Sequence, residues 1–153
     1  MHIKSTMLPV LMMATLLSCS PGQVGESSVR SQSEIDIVNE QQITWEQLFI
    51  PSEDHYLVFF YSHTCENCRE IKDEVIAFAL DDIVPMYFID IKNSQNDIPI
   101  TSDVESSYGA SEIEEVSILG VPTLIEIYEG YIVCNVAGKD HCLTLLNEKR
   151  LIN

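Results

Sequence analysis

The sequence predicts an α/β domain in which a central mixed sheet is flanked by helices. Three observations carry that prediction. Residues 56–61, from Tyr56 through Phe59 and Phe60 to Tyr61, form a continuously apolar and aromatic run, the pattern of a strand buried on both faces. Soon after, Ile71, Val75, Phe78 and Ala79 recur at helical spacing, with Arg69, Lys72 and Asp73 on the other side. Two later apolar runs, over 123–128 and 131–136, meet at Glu129-Gly130, the turn chemistry of a hairpin.

Residues 1–18 must be set apart before the fold is read. Lys4 provides a short positive start, residues 7–17 are almost wholly apolar, and Leu16-Leu17-Ser18-Cys19 comes next. A stretch bounded by Lys4 and Cys19 is shorter than the roughly 20 residues a bilayer span needs, so it reads as an export signal. Leu-Leu-Ser-Cys resembles the lipobox of bacterial lipoproteins, whose cysteine receives a diacylglyceryl thioether. That resemblance implies a signal peptide over 1–18, a lipidated mature N-terminus at Cys19, and a position in the bacterial cell envelope, outside the cytoplasm. An uncleaved anchor or an ordinary secretory cut near Ser18 are the alternatives, and either still exports the chain.

Residues 19–40 carry Pro21, Gly22, Gly25 and many Ser, Gln and Glu, which suits a flexible tether; Ile35, Ile37 and Val38 are an alternative start of an edge strand. The folded domain is then expected over 41–153. Thr44 with Gln47 three residues on has capping-box spacing for a short helix. Residues 84–91 read as a second buried strand and 142–151 as a closing helix. Between them, residues 92–110 are rich in Asn, Ser, Asp and Gln, with Ile98, Ile100 and Val104 as apolar anchors, so they read as an ordered inserted loop or small hairpin. Ser111 then offers an N-cap for a helix over 112–116.

Charge removes several function classes. The chain has 8 Lys and Arg against 24 Asp and Glu, a net charge of −16. Nucleic acid and anionic lipid headgroups demand clustered cations, so neither is an expected direct partner, and membrane attachment must come through lipid. A hydrophobic share of 46% is too high for a wholly disordered acidic chain.

The chemistry lies at the junction of the first strand and its helix, in Ser62-His63-Thr64-Cys65-Glu66-Asn67-Cys68. Two cysteines separated by two residues at a helix start can close a small disulfide ring. The first sulfur lies where unpaired backbone N–H groups favour a thiolate, so Cys65 is the expected attacking thiol and Cys68 the resolving one. A permanent structural disulfide is one alternative. Half a zinc site is another, but no second Cys-x-x-Cys or His-x-His pair accompanies it, and no metal is expected.

With that motif in place, the chain resembles the thioredoxin family. Gly120-Val121-Pro122-Thr123 before a strand is similar to the family's cis-proline loop, Glu129-Gly130 to its hairpin turn, and Gly138 to the glycine before its last helix. The resemblance covers residues 43–151. It implies a thioredoxin-like fold, a cis Val121-Pro122 bond, and contact of Val121, Pro122 and Thr123 with a substrate peptide. It also implies thiol–disulfide exchange with client proteins, an exported or membrane-bound electron partner, and no cofactor beyond the Cys65–Cys68 disulfide. Otherwise Pro122 merely starts a strand. The buried aspartate that the family places six residues before its first cysteine is Phe59 here, and the stiffening proline between the cysteines is absent. His63, if protonated, and the Asn67 amide are expected to favour the Cys65 thiolate and Glu66 to oppose it, although a histidine in this position is more often a solvated loop residue. Cys134 and Cys142 remain. A structural disulfide is the first expectation for an exported chain, with two buried thiols or a second redox pair as alternatives. Two readings of other classes stand beside the oxidoreductase: a metallochaperone using Cys65, Cys68 and His63, and a non-catalytic accessory lipoprotein that uses the fold as a binding module.

Overall fold

The computed structural model describes residues 35–102 and 107–152. The signal segment, Cys19, tether residues 19–34 and Val104 lie outside the described residues. Residues 35–40 are helical, and Ile37 and Val38 pack against the core. The described end of the stretch expected as tether is therefore helical instead of an edge strand, because those two side chains find apolar cover.

Four strands form one sheet, in the order β2-β1-β3-β4. They are β1 (His55–Tyr61), β2 (Met86–Asp90), β3 (Thr123–Tyr128) and β4 (Tyr131–Ala137). β1 runs parallel to β2 and antiparallel to β3, and β3 runs antiparallel to β4, so the sheet is mixed. The two central strands each bury five consecutive residues, which is why β1 reads as an unbroken apolar run and β3 as one interrupted only by Thr123 and Glu126. At the hairpin Glu129 has φ 50° and Gly130 φ 80°, the two positive values that a tight two-residue turn between twisted strands requires.

Besides the helical residues 35–40, the described residues form α1 (Glu66–Glu70), α2 (Lys72–Asp81) and α3 (Lys139–Ile152) beside the sheet. Helical backbone starts at Glu66, ahead of the apolar periodicity, and breaks at Ile71, whose φ −103° and ψ 3° leave the α-helical region. Ile71 is itself 2% exposed, so the joint is clamped by burial of its own side chain.

The two faces of the sheet are covered differently. One packs Leu57, Phe59, Phe88 and Leu124 against Val75 and Phe78 of α2 and Leu145 and Leu146 of α3. Glu126 lies buried on β3, where its Oε1 meets His55 Nε2 at 2.8 Å and Lys149 Nζ at 2.6 Å. The other face gathers Tyr56, Phe60, Ile89, Ile125 and Ile127 with Trp45, Leu48, Ala110, Val116 and Ile118. Its cover is built from 3-10 turns at Trp45–Gln47 and Ile113–Glu115 and from irregular chain. The Thr44 N–H donates to Gln47 Oε1 at 2.9 Å, as the capping spacing predicted.

The helix expected over 112–116 is reduced to that second 3-10 turn. Ser117 explains it: its N–H donates to Ser107 Oγ at 3.0 Å, while its carbonyl accepts from Ser107 Oγ at 3.1 Å and from Asn135 Nδ2 at 3.0 Å. These bonds hold the adjoining Val116 in extended conformation, at φ −100° and ψ 138°. In the insert Ile98 packs against the core as expected, whereas Ile100 bridges to Ile118 and remains 61% exposed. The buried anchors are instead Ser107 and Ala110.

Candidate active site

The end of β1 delivers the chain into a tight turn built on Ser62. Its carbonyl accepts the Cys65 N–H at 3.1 Å, and its buried Oγ accepts from the Thr64 N–H at 3.3 Å and bonds Thr64 Oγ1 at 3.0 Å. Cys65 is thereby placed as the N-cap of α1 in extended conformation (φ −80°, ψ 120°), and its Sγ accepts the N–H of Cys68 at 3.2 Å.

The cis-proline loop supplies the other wall. The Val121-Pro122 bond is cis. The Gly138 N–H donates to the Pro122 carbonyl at 2.8 Å, and Thr123 Oγ1 donates to the Gly120 carbonyl at 2.7 Å, so both sides of the loop are tied down. The Val121 carbonyl receives the Cys65 thiol at 3.5 Å. The Cys65 sulfur thus lies against the start of the loop that carries Val121, Pro122 and Thr123. Cys65 is half-buried and Cys68 buried. Burial pushes the Cys68 thiol up to about 12, with the bond to the Cys65 sulfur adding to the rise. Cys65 is thus the more exposed sulfur and the one that holds a backbone N–H donor.

The neighbours predicted to tune Cys65 are arranged otherwise. His63 Nε2 faces Asp90 Oδ2 at 3.6 Å and its ring stands edge-on to Tyr61. Among the described residues neither His63 nor Asn67 is hydrogen-bonded to a sulfur; the donor is the Cys68 backbone, because an N-cap side chain reaches the third residue of its helix. Glu66 lies within the field of Lys139, which also pairs with Glu70, so cationic charge opposes it. Phe59 is buried, stacked on Tyr61 and edge-on to Phe88, where apolar contact replaces a proton relay.

Cys134 and Cys142 are free thiols, not the disulfide expected first. Cys142 is fully buried, its Sγ directed at the Val136 carbonyl at 3.8 Å, and burial raises it to about 12, followed by the nearby Cys68 sulfur. Its proximity to Cys68 had no signature in the sequence, since residue 142 is 74 positions away. Among the described residues, no three His, Cys, Asp or Glu side chains gather as metal ligands.

A four-stranded mixed sheet, a Cys-x-x-Cys pair at the end of its central strand and a cis-proline loop beside it define the thioredoxin fold. The long form of spinach chloroplast thioredoxin f aligns over 78% of this chain and 94% of its own, at 16% identity and a TM-score of 0.51. Mitochondrial thioredoxin 3 of Saccharomyces cerevisiae aligns over 76% and 94%, at 16% identity and 0.49, and thioredoxin of Trypanosoma brucei brucei over 70% and 85%, at 19% and 0.49. No protein-family model and no curated protein sequence matches the chain.

Proposed function

We propose that the chain is an exported, lipid-anchored thiol–disulfide oxidoreductase that exchanges disulfides with client proteins. The observation that carries the reading is the asymmetry of the pair: Cys65 is accessible, holds a backbone donor and lies against the Val121 carbonyl beside Pro122, while Cys68 is buried one turn behind it. In the forward step the Cys65 thiolate attacks a client disulfide, forming a mixed disulfide and expelling the client's second sulfur as thiolate. Cys68 then loses its proton and attacks the Cys65 sulfur. The client leaves with both sulfurs reduced, and the Cys65–Cys68 disulfide carries the oxidation. Run in reverse, the same steps oxidise a client. Val121, Pro122 and Thr123 hold the client backbone. Export rests on the signal-like residues 1–18, and the anchor on Cys19.

Trapping tests the division of labour. Cys68→Ala should accumulate mixed disulfides with clients, and Cys65→Ala should not; equal trapping by both variants overturns the reading. Cys19→Ser should abolish incorporation of labelled fatty acid, and unchanged labelling would remove the anchor from the proposal.

A further inference from the structure

A cavity of about 770 Å³ opens on a side of the motif that the cis-proline loop does not share. Cys68 lies in its wall and Cys65 does not. Phe59, Tyr61 and Phe88 supply an aromatic lining, in mutual ring contact. Arg69, Lys72 and Lys92 stand around it. This placement is unexpected in a chain of net charge −16 with eight Lys and Arg. Lys4 and Arg30 lie outside the described residues. Lys139, Lys149 and Arg150 are each engaged with a carboxylate. The other three cations are the three at the cavity, and among the described residues none of them has an ion-pair partner. The one carboxylate in the lining, Asp90, is occupied by the Lys92 N–H on Oδ1 and by His63 near Oδ2. An apolar pocket with an unspent cationic rim and a redox sulfur in its wall has the complement of a small, partly apolar anion that carries sulfur.

We propose that this cavity admits a small carboxylate-bearing thiol, which attacks the Cys68 sulfur of the Cys65–Cys68 disulfide and so recharges the pair. The inference rests on the oxidoreductase reading and names its low-molecular-weight electron donor by class. The thiolate RS⁻ forms R–S–S–Cys68 as the Cys65–Cys68 bond breaks, and the electron pair leaves on Cys65. A second RS⁻ attacks the R sulfur of the mixed disulfide, releasing RSSR and leaving Cys68 as thiolate, which takes a proton from solvent. Two thiols are oxidised and one disulfide is reduced. Displacement at sulfur requires the attacker and leaving group in line, so an attacker meeting Cys68 must come from the side away from Cys65. The Cys68 N–H already bonds Cys65 Sγ, so the departing sulfur has a donor in place. Client exchange at Cys65 and recharging at Cys68 would then use separate approaches.

The test uses the full chain with Cys65 and Cys68 oxidised, and three reductants: 3-mercaptopropionate, cysteamine and dithiothreitol, with rates expressed per thiolate. At low salt 3-mercaptopropionate should outpace cysteamine by about tenfold, the lower end of what a cleft of one charge sign supplies. The preference should shrink in 1 M salt as screening shortens to about 3 Å. Lys72→Glu with Lys92→Glu should abolish or invert the ratio, and Lys92→Glu alone should reduce it should the double variant not fold. In Cys65→Ser, 3,3′-dithiodipropionate should label Cys68 faster than cystamine does. A cysteamine rate equal to or above that of 3-mercaptopropionate overturns the proposal, as does a wild-type preference untouched by Lys92→Glu. A disulfide that dithiothreitol reduces without any charge preference among the thiols removes only this inference. Failure of the Cys68→Ala trap would remove the oxidoreductase reading itself.

Discussion

The two faces of the sheet bury comparable apolar surfaces by different means. On one, α2 and α3 lay regular helical stripes over Leu57, Phe59 and Leu124. On the other, two 3-10 turns and irregular chain cover Tyr56, Phe60, Ile125 and Ile127. A helix satisfies its own backbone, so it needs only an apolar stripe to cover a sheet. Irregular chain must find a partner for each buried N–H and carbonyl, and here Ser107, Asn135 and Ser117 provide them. The helical face should therefore resist local opening, and the irregular face should depend on a few polar contacts.

The sharpest way to break this contrast is to create a cavity on each side. Phe78→Ala on α2 should cost about 3–5 kcal/mol in denaturant unfolding, and Ile118→Ala in the irregular cover about 2 kcal/mol, because loose chain collapses into space more readily than a packed helix. Equal losses would mean that the irregular cover is as rigid as the helices. On the helical face Glu126→Ala should cost about 1–3 kcal/mol, since it leaves His55 and Lys149 without their shared carboxylate, and urea unfolding at neutral pH reads it. On the irregular face Ser107→Ala should cost about 1–2 kcal/mol, and amide exchange should accelerate at Ser117 well before it does in β1. Acceleration spread evenly over the sheet would contradict a locally held cover.

The smallest effect concerns pH and the dithiol. Burial raises Cys68 and Cys142 from the ordinary 9.0 to about 12. Because the folded values lie above the unfolded ones, the stabilisation is complete below pH 9 and is lost as pH climbs from there toward 12. The loss stays below about 1.4 kcal/mol per pH unit for each thiol, less at Cys68 where water screens it. Tyr56 and Tyr87, raised from 10.0 to about 12 by burial, join only above pH 10. Urea midpoints between about pH 8 and 10 should fall faster for the dithiol than for the Cys65–Cys68 disulfide, which has no Cys68 proton to lose; parallel curves would contradict this.

How much could be read in advance obeys the same division. β1 was legible because burial on both faces writes an unbroken apolar run, β3 because its run is broken inside only by Glu126, and the hairpin because Gly130 suits a turn with positive φ. Cys65, Cys68 and Pro122 were legible because their chemistry needs those residue types at those places. The irregular cover was not: Ser107 holds it with a hydroxyl, a group that is common in any loop. The helix start marks a backbone donor for Cys65, but which N–H bonds its sulfur leaves no mark in the sequence, because backbone N–H groups are identical at every position of the chain but proline. The cavity leaves none either, because Arg69, Lys72 and Lys92 come from two separate segments, with Asp73 and Asp90 beside them in the sequence.

Both margins of the sheet carry a further consequence. At β2, Ile43 donates to the Phe88 carbonyl at 2.9 Å and Phe88 donates back to Gln41 at 3.0 Å. At β4, Gly109 donates to the Ile132 carbonyl at 2.8 Å and Ile132 to Ala110 at 2.9 Å. Each outer strand thus has part of its free bonding row occupied by a short length of the same chain. An uncovered outer strand presents a row of N–H and carbonyl groups that can recruit a second copy into a continuous sheet. These few residues, two on one side and two on the other, shorten the row that each margin offers to such pairing.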